Sequence, residues 1–363
     1  MTVIIFIFIL SLLVIVHELG HFIAAKAAGV LVEEFGIGFP PRIFGIKKGE
    51  TLYSLNLIPL GGFVKLYGEE YVEAKSKINL TADKKNSKSN NRAFVYKKPW
   101  QKALIIAAGV IGNFLLGWVL ISFLFTKGVP VPTNKVIIEK VQTGSPAEKA
   151  GLKEKDVVVS FISKASSVSI KSPNEFIALT KKSAGQQIKL VVLRENKKLT
   201  VELSPRKNPP PGQGPMGVMI SSFVEKKYPW YQAPFLGLVE AFAITRKIVM
   251  EIIKTIYQFI SLQKPSVEVA GPIGITAYTA KALKFGQNAF LEFIALLSLN
   301  LAVINILPFP ALDGGRLVFV VYEWISKKRV NQKIERYVNF IGIIILLSLA
   351  VLVSLNDLSK IIH

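Results

Sequence analysis

Residues 2–25 read TVIIFIFILSLLVIVHELGHFIAA. About 20 apolar residues suffice to cross a bilayer as a helix, and the later half of this run carries His17, Glu18 and His21. Ionisable side chains inside such a segment are costly and usually functional. Residues four apart share a helix face, so His17 and His21 can reach one zinc ion. Glu18 then stands near the open coordination position, where a carboxylate can take a proton from water. The bland reading, polar residues satisfied by their own helix, leaves the cost of burying them unexplained. No Lys or Arg precedes the apolar run, and the polar cluster stands where a cleavage region would be. The segment therefore reads as a retained span rather than a removed signal peptide.

Three further stretches are long enough to span: Ala103 to Phe125, Phe293 to Leu312 and Tyr337 to Leu355. The whole chain agrees with that pattern. Of 363 residues, 51% are hydrophobic and 19% charged, which excludes a disordered chain and an ordinary soluble domain. Lys and Arg number 45 against 24 Asp and Glu, a net charge of +21. On a membrane protein that balance serves topology and contact with anionic lipid. No basic helix or aromatic-basic ribbon supports nucleic acid as a partner. Cys is absent, which removes disulfides, a thiol nucleophile and a Cys-based zinc site.

Between the first two spans, Leu52 to Leu57 alternates and leads through Ile58-Pro59-Leu60-Gly61-Gly62 into Phe63-Val64-Lys65-Leu66. This predicts a β-hairpin or β-loop. The Lys-, Ser- and Asn-rich tract from Lys75 to Lys98 reads as a mobile loop. Residues 134–206 change character and predict a small β-rich domain. Pro205 to Pro215, with Pro209-Pro210-Pro211-Gly212, reads as an extended linker. Pro234 to Leu262 is apolar but carries Arg246 and Lys247 in mid-segment, each costing roughly 2.5–3.5 kcal/mol to insert. Its apolar positions recur at helical spacing, so we expect an amphipathic helix on the membrane surface. The expected layout is a polytopic α-helical membrane protein in four parts: 1–133, 134–206, 207–284 and 285–363.

Zinc held by two His needs a third protein ligand and an open position. Asp313 is the best candidate, at the end of the third span in Asn305-Ile306-Leu307-Pro308-Phe309-Pro310-Ala311-Leu312-Asp313-Gly314-Gly315. The two prolines should break the helix, the glycines permit a sharp turn, and broken helices at membrane depth line cavities. Asp313 as a mere cap of the next helix is the alternative. The pairing also needs spans one and three to run in the same direction. They do if Pro234 to Leu262 does not cross. Lys and Arg of the short loops after spans one and three place those loops in the cytoplasm and the N-terminus outside.

The sequence closely resembles the site-2 protease family of intramembrane zinc metalloproteases, in its bacterial PDZ-containing group, over nearly the whole chain. The resemblance implies Zn2+ held by His17, His21 and Asp313, with Glu18 as general base and Asn305 holding substrate. It implies that the segment with Gly61, Gly62 and Phe63 is a membrane-associated β-element binding substrate as an extended strand. Gly144-Ser145-Pro146-Ala147-Glu148-Lys149-Ala150-Gly151-Leu152 resembles the PDZ signature, implying an extracytoplasmic PDZ domain that filters substrates or binds a peptide ligand. Ala270-Gly271-Pro272-Ile273-Gly274-Ile275 resembles a further family element. Two departures stand out: Gly38-Phe39-Pro40 for Gly-Phe-Gly, and Gly109-Val110 for the Gly-Pro that precedes Asn113-Phe114. The expected function is regulated intramembrane proteolysis of single-span substrates, such as anti-sigma factors or remnant signal peptides. The expected location is a bacterial inner membrane, with the active site toward the cytoplasm. The alternatives are an inactive zinc-binding scaffold that uses its PDZ domain, and a transporter. The absence of an inverted repeat argues against transport.

Overall fold

The computed structural model describes residues 1–69, 92–163, 166–263, 270–328 and 330–362. Two compact units emerge, one of residues 1–126 with 229–363, the other of residues 127–228.

In the first unit, helix α1 (Thr2–Ala27) leads into strands β1 (Val32–Lys48) and β2 (Thr51–Leu66). Both strands double back. Glu34 to Ile37 pair with Lys65 to Gly62 on one side and with Leu52 to Leu55 on the other. The result is a four-segment sheet in the order 62–66, 32–37, 51–56, 42–48; strands stand where a hairpin or β-loop was expected, but 51–56 and 62–66 pair with 32–37 on its two sides rather than with each other. Its far end is apolar and exposed at Ile43, Phe44, Leu57 and Ile58. Of the tract expected to be a mobile loop, residues 75–91 lie outside the described residues. Residues 94–96 form a 3-10 turn whose Phe94 is buried among Ala25, Val30 and Ile105, because apolar side chains follow the polar run there.

Helix α2 (Pro99–Lys127) follows. The second unit comprises β3 (Val129–Val141), α3 (Pro146–Lys149), β4 (Val157–Ser163), β5 (Ser166–Ser169), α4 (Pro173–Lys182), β6 (Ile188–Arg194), β7 (Lys197–Leu203) and β8 (Val218–Lys226). The sheet order is β7-β6-β4-β3-β8, with β5 on β4. Both helices open on a serine N-cap: Ser145 accepts from Glu148 N–H, and Ser172 from Glu175 N–H. Buried Asp156 receives two 2.7 Å bonds from Arg194. This unit is wider than the expected 134–206. The proline-rich stretch is part of it rather than a linker: Arg206 N–H donates to Pro215, Met216 is buried in the core, and β8 completes the sheet.

The first unit resumes with α5 (Ala233–Ile260), α6 (Pro272–Phe285), α7 (Gln287–Ile306), α8 (Asp313–Ser326) and α9 (Gln332–Ile362). Four described helices are long and apolar enough to cross a membrane: α1, α2, α7 and α9. Helix α5 is not a bare surface helix. Ala241, Ile244 and Ile248 pack on Ile121 of α2 and on Ala295 and Leu299 of α7, and Trp118 donates to Pro234 O at 2.8 Å. Spans α1 and α7 meet through Ile9, Leu13 and Ile294. Near the end of α9, buried Asp357 accepts from Gly271 N–H at 2.9 Å and Gly274 N–H at 2.8 Å. It thereby caps α6, whose own N-cap glycine has no side chain to do so.

Candidate active site

Two of the elements that carry the site are built by local sequence. His17 and His21 are one turn apart on α1. Helix α7 stops at Ile306 because Pro308 and Pro310 supply no backbone donor. The chain then turns tightly, with Ala311 left-handed at φ 72°, and Asp313 becomes the first residue of α8. The third span is therefore shorter than expected, and Asp313 lies beyond its end. Gly314 and Gly315 sit inside the first turn of α8, and a Cβ on either would collide with the carbonyls of residues 306–309. Their role is close approach to the broken helix end.

These elements bring three ligand atoms together. His17 Nε2 is 2.9 Å and His21 Nε2 3.1 Å from the same oxygen, Asp313 Oδ2, and the two Nε2 atoms are 3.2 Å apart. His21 Nδ1 lies 2.8 Å from the Ile105 carbonyl. A carbonyl only accepts, so Nδ1 carries the hydrogen and Nε2 presents a lone pair. Asp313 Oδ2 is buried and has no hydrogen-bond donor among the described residues. Electron-rich atoms facing one point are satisfied by a cation. Ligands bound to zinc at about 2.0–2.1 Å and tetrahedral angles stand roughly 3.3 Å apart, so the donor set and its spacing fit zinc.

The remaining expected site residues divide. Gly62 lies against the Glu18 side chain: a Cβ there would be 3.4 Å from Glu18 Cγ. Ser11, two turns earlier on α1, donates to the Pro59 carbonyl, so β2 runs along α1 from Ser11 to Glu18. Gly61 has φ 107°, a conformation that favours glycine, and the Phe39 ring covers it. The Phe63 ring turns onto Gly36 within the sheet. Asn305 Nδ2 is 3.5 Å from both ring nitrogens of His17.

Three features on α2 were given no role at the site from the sequence: the Ile105 carbonyl, and Gly109 and Asn113, which were noted only as part of a family element. A Cβ on Gly109 would overlap His21 Nε2 and press on His17 Cε1 at 2.8 Å, so only glycine leaves room for the imidazoles. Asn113 is buried, 3.3 Å from His17 Nδ1. Its signal was present, since a lone Asn in an uncharged span faces a protein interior. Beside the site, a cavity of about 840 Å³ is lined by Glu69, Lys102, Ile106, Arg316, Glu323 and Glu335. Lys102 pairs with Glu323 at 2.9 Å, and Arg316 pairs with Glu69. Burial pulls the Arg316 guanidinium down, but the Glu69 carboxylate beside it outweighs this and leaves it raised.

A family model described as Peptidase family M50 matches residues 5–349. The chain belongs to peptidase family M50. This is the site-2 protease family, and the M50 chain is a zinc-dependent metalloprotease. The regulator of sigma-W protease RasP of Bacillus subtilis is 30% identical to it, over 99% of this chain and 98% of the relative. The zinc metalloprotease RasP of Bacillus licheniformis is also 30% identical, over 99% of both chains. A Clostridium perfringens relative is 35% identical over 96% of each. A PDZ domain solved from Listeria monocytogenes covers 25% of the M50 chain and 93% of its own, at 19% identity and a TM-score of 0.21, too low to carry a fold assignment.

Proposed function

We propose that this M50 peptidase cuts peptide bonds in or near the transmembrane segments of single-span proteins, with His17, His21 and Asp313 as zinc ligands and Glu18 as general base. The observation that carries the reading is the meeting of the two α1 imidazoles with a carboxylate almost three hundred residues later on one buried oxygen. Zinc, when held there, polarises a scissile carbonyl and acidifies a water. Glu18 takes the proton of the attacking water and hands it to the leaving nitrogen. A substrate helix hides its carbonyls in hydrogen bonds, so the substrate must first be extended. The strand 59–62, lying along α1 as far as Glu18, is where an unwound segment pairs by strand addition. Asn305 steadies the substrate beside His17. The charged cavity next to Ile106 and Arg316 brings water toward the site.

The loops rich in Lys and Arg argue for a site toward the cytoplasm and residues 127–228 outside it. The apolar end of the β-element suits contact with lipid. Within residues 127–228, β8 is a sheet edge near α4, and the PDZ-like reading makes this edge the place where an extended peptide or an arriving substrate tail would add as a strand. The sigma-W regulator among the relatives makes a membrane-anchored anti-sigma factor the first substrate to try.

The test is incubation of purified protein with a panel of single-span proteins, with and without chelator, and cut sites mapped by mass. Chelator-sensitive cuts within or beside the spans are expected. No turnover on any substrate with zinc bound would favour the scaffold reading.

A further inference from the structure

His17 presents Nε2 to Asp313 and His21, and its other ring nitrogen points away, toward α2. The nearest polar group there is the Asn113 amide, 3.3 Å from Nδ1. Asn113 is 0% exposed. The far atom of its amide is buried and has no partner among the described residues. The backbone carbonyl of Asn113 accepts from Ser298 Oγ at 2.7 Å, and Ser298 is itself fully buried. That bond ties Asn113 to α7, the span that leads to Asp313.

Chemistry decides which end of the amide faces the ring. A histidine that ligates through Nε2 keeps its hydrogen on Nδ1, which is then a donor. An amide nitrogen turned toward it sets donor against donor and also orphans the amide oxygen. With the amide turned over, Nδ1–H gains an acceptor. Asn305 does not compete for this role. Its amide nitrogen is 3.5 Å from both ring nitrogens at once, off the axis of either.

We infer that Asn113 is the positioning residue of the metal centre: its side-chain oxygen accepts from His17 Nδ1–H and so fixes the tautomer that turns Nε2 to the ion. The inference rests on the reading of His17 as a ligand. Asn113 then does for His17 what the Ile105 carbonyl does for His21, so both imidazoles are oriented from α2. Partners of this kind typically change metal affinity by 10- to 100-fold when removed.

The test is zinc affinity, measured by chelator competition on full-length protein in detergent. Asn113→Leu should weaken zinc binding by roughly 10- to 100-fold. Asn113→Asp, which keeps an accepting oxygen, should bind zinc at least as tightly as wild type. Asn305→Ala should bind zinc as wild type does while losing cleavage. Wild-type affinity in Asn113→Leu overturns the inference, and so does weak binding in Asn113→Asp. If Asn113→Leu does not fold, Asn113→Asp alone decides. His17→Ala separates the two levels: zinc retained at wild-type affinity there would sink the ligand assignment itself, whatever Asn113 does.

Discussion

Replacing Glu18 by Gln keeps the size of the side chain and removes its capacity to take a proton. Placed general bases contribute about 10²- to 10⁴-fold. We expect Glu18→Gln to lose at least about a hundredfold in cleavage with its zinc content unchanged; cleavage at the wild-type rate would remove Glu18 from the mechanism. Gly109→Ala tests the packing behind the proposed ligands. Its methyl would press on both imidazoles, so zinc affinity should fall at least about tenfold, read by chelator competition. An unchanged affinity would mean that α2 yields. The difference between these residues also explains what the sequence could tell. His17, Glu18 and His21 are legible because their geometry is local to one helix turn. Gly109 and Asn113 acquire meaning only when α2 is laid against α1, and no spacing along the chain encodes that contact.

At the scale of elements, the α6 cap is a contact between segments more than eighty residues apart. Asp357→Ala leaves the N–H groups of Gly271 and Gly274 without their acceptor. Loss of such a cap costs about 0.5–2 kcal/mol, which a thermal melt of the detergent-solubilised protein should register, and an unchanged melt would deny the cap its role. In residues 127–228, burial pushes the Asp156 carboxyl up, but the Arg194 guanidinium and the Lys153 N–H outweigh it and hold it below the usual carboxylate range. A depressed folded value means the stabilisation is present above the unfolded value, near 3.8. It is lost as pH falls through the folded value. An acid titration of the isolated unit should therefore show Arg194→Met less stable than wild type at neutral pH, with the gap closing below about pH 4; a gap independent of pH would contradict the pairing. Element reading from sequence failed in an instructive place. Pro209-Pro210-Pro211-Gly212 has a linker's composition, yet Met216 just beyond it fills the core and β8 closes the sheet. The break after Ile306 was legible from Pro308 and Pro310, but the start of α8 at Asp313 rests on Gly314 and Gly315 packing against the carbonyls of Ile306, Leu307 and Phe309.

At the scale of the molecule, Val129 pairs with Lys226, so the second unit leaves the chain where it began. It can be excised between those residues and the ends rejoined. The excised protein should keep its zinc and cut substrates already trimmed outside the membrane, and a filter role predicts that it also cuts untrimmed ones; cleavage lost on every substrate would point to docking instead. The four candidate spans were legible because lipid demands long apolar runs, whereas the extent of the inserted unit was not, since its first and last strands pair across almost a hundred residues. The most direct test of the whole account is zinc-edge X-ray absorption of the purified protein beside Asp313→Ala. The wild-type ion should show two imidazoles and a light ligand at about 2.0–2.1 Å, with the shell altered or the ion lost in the variant. A shell without imidazole, or one identical in both proteins, would contradict it.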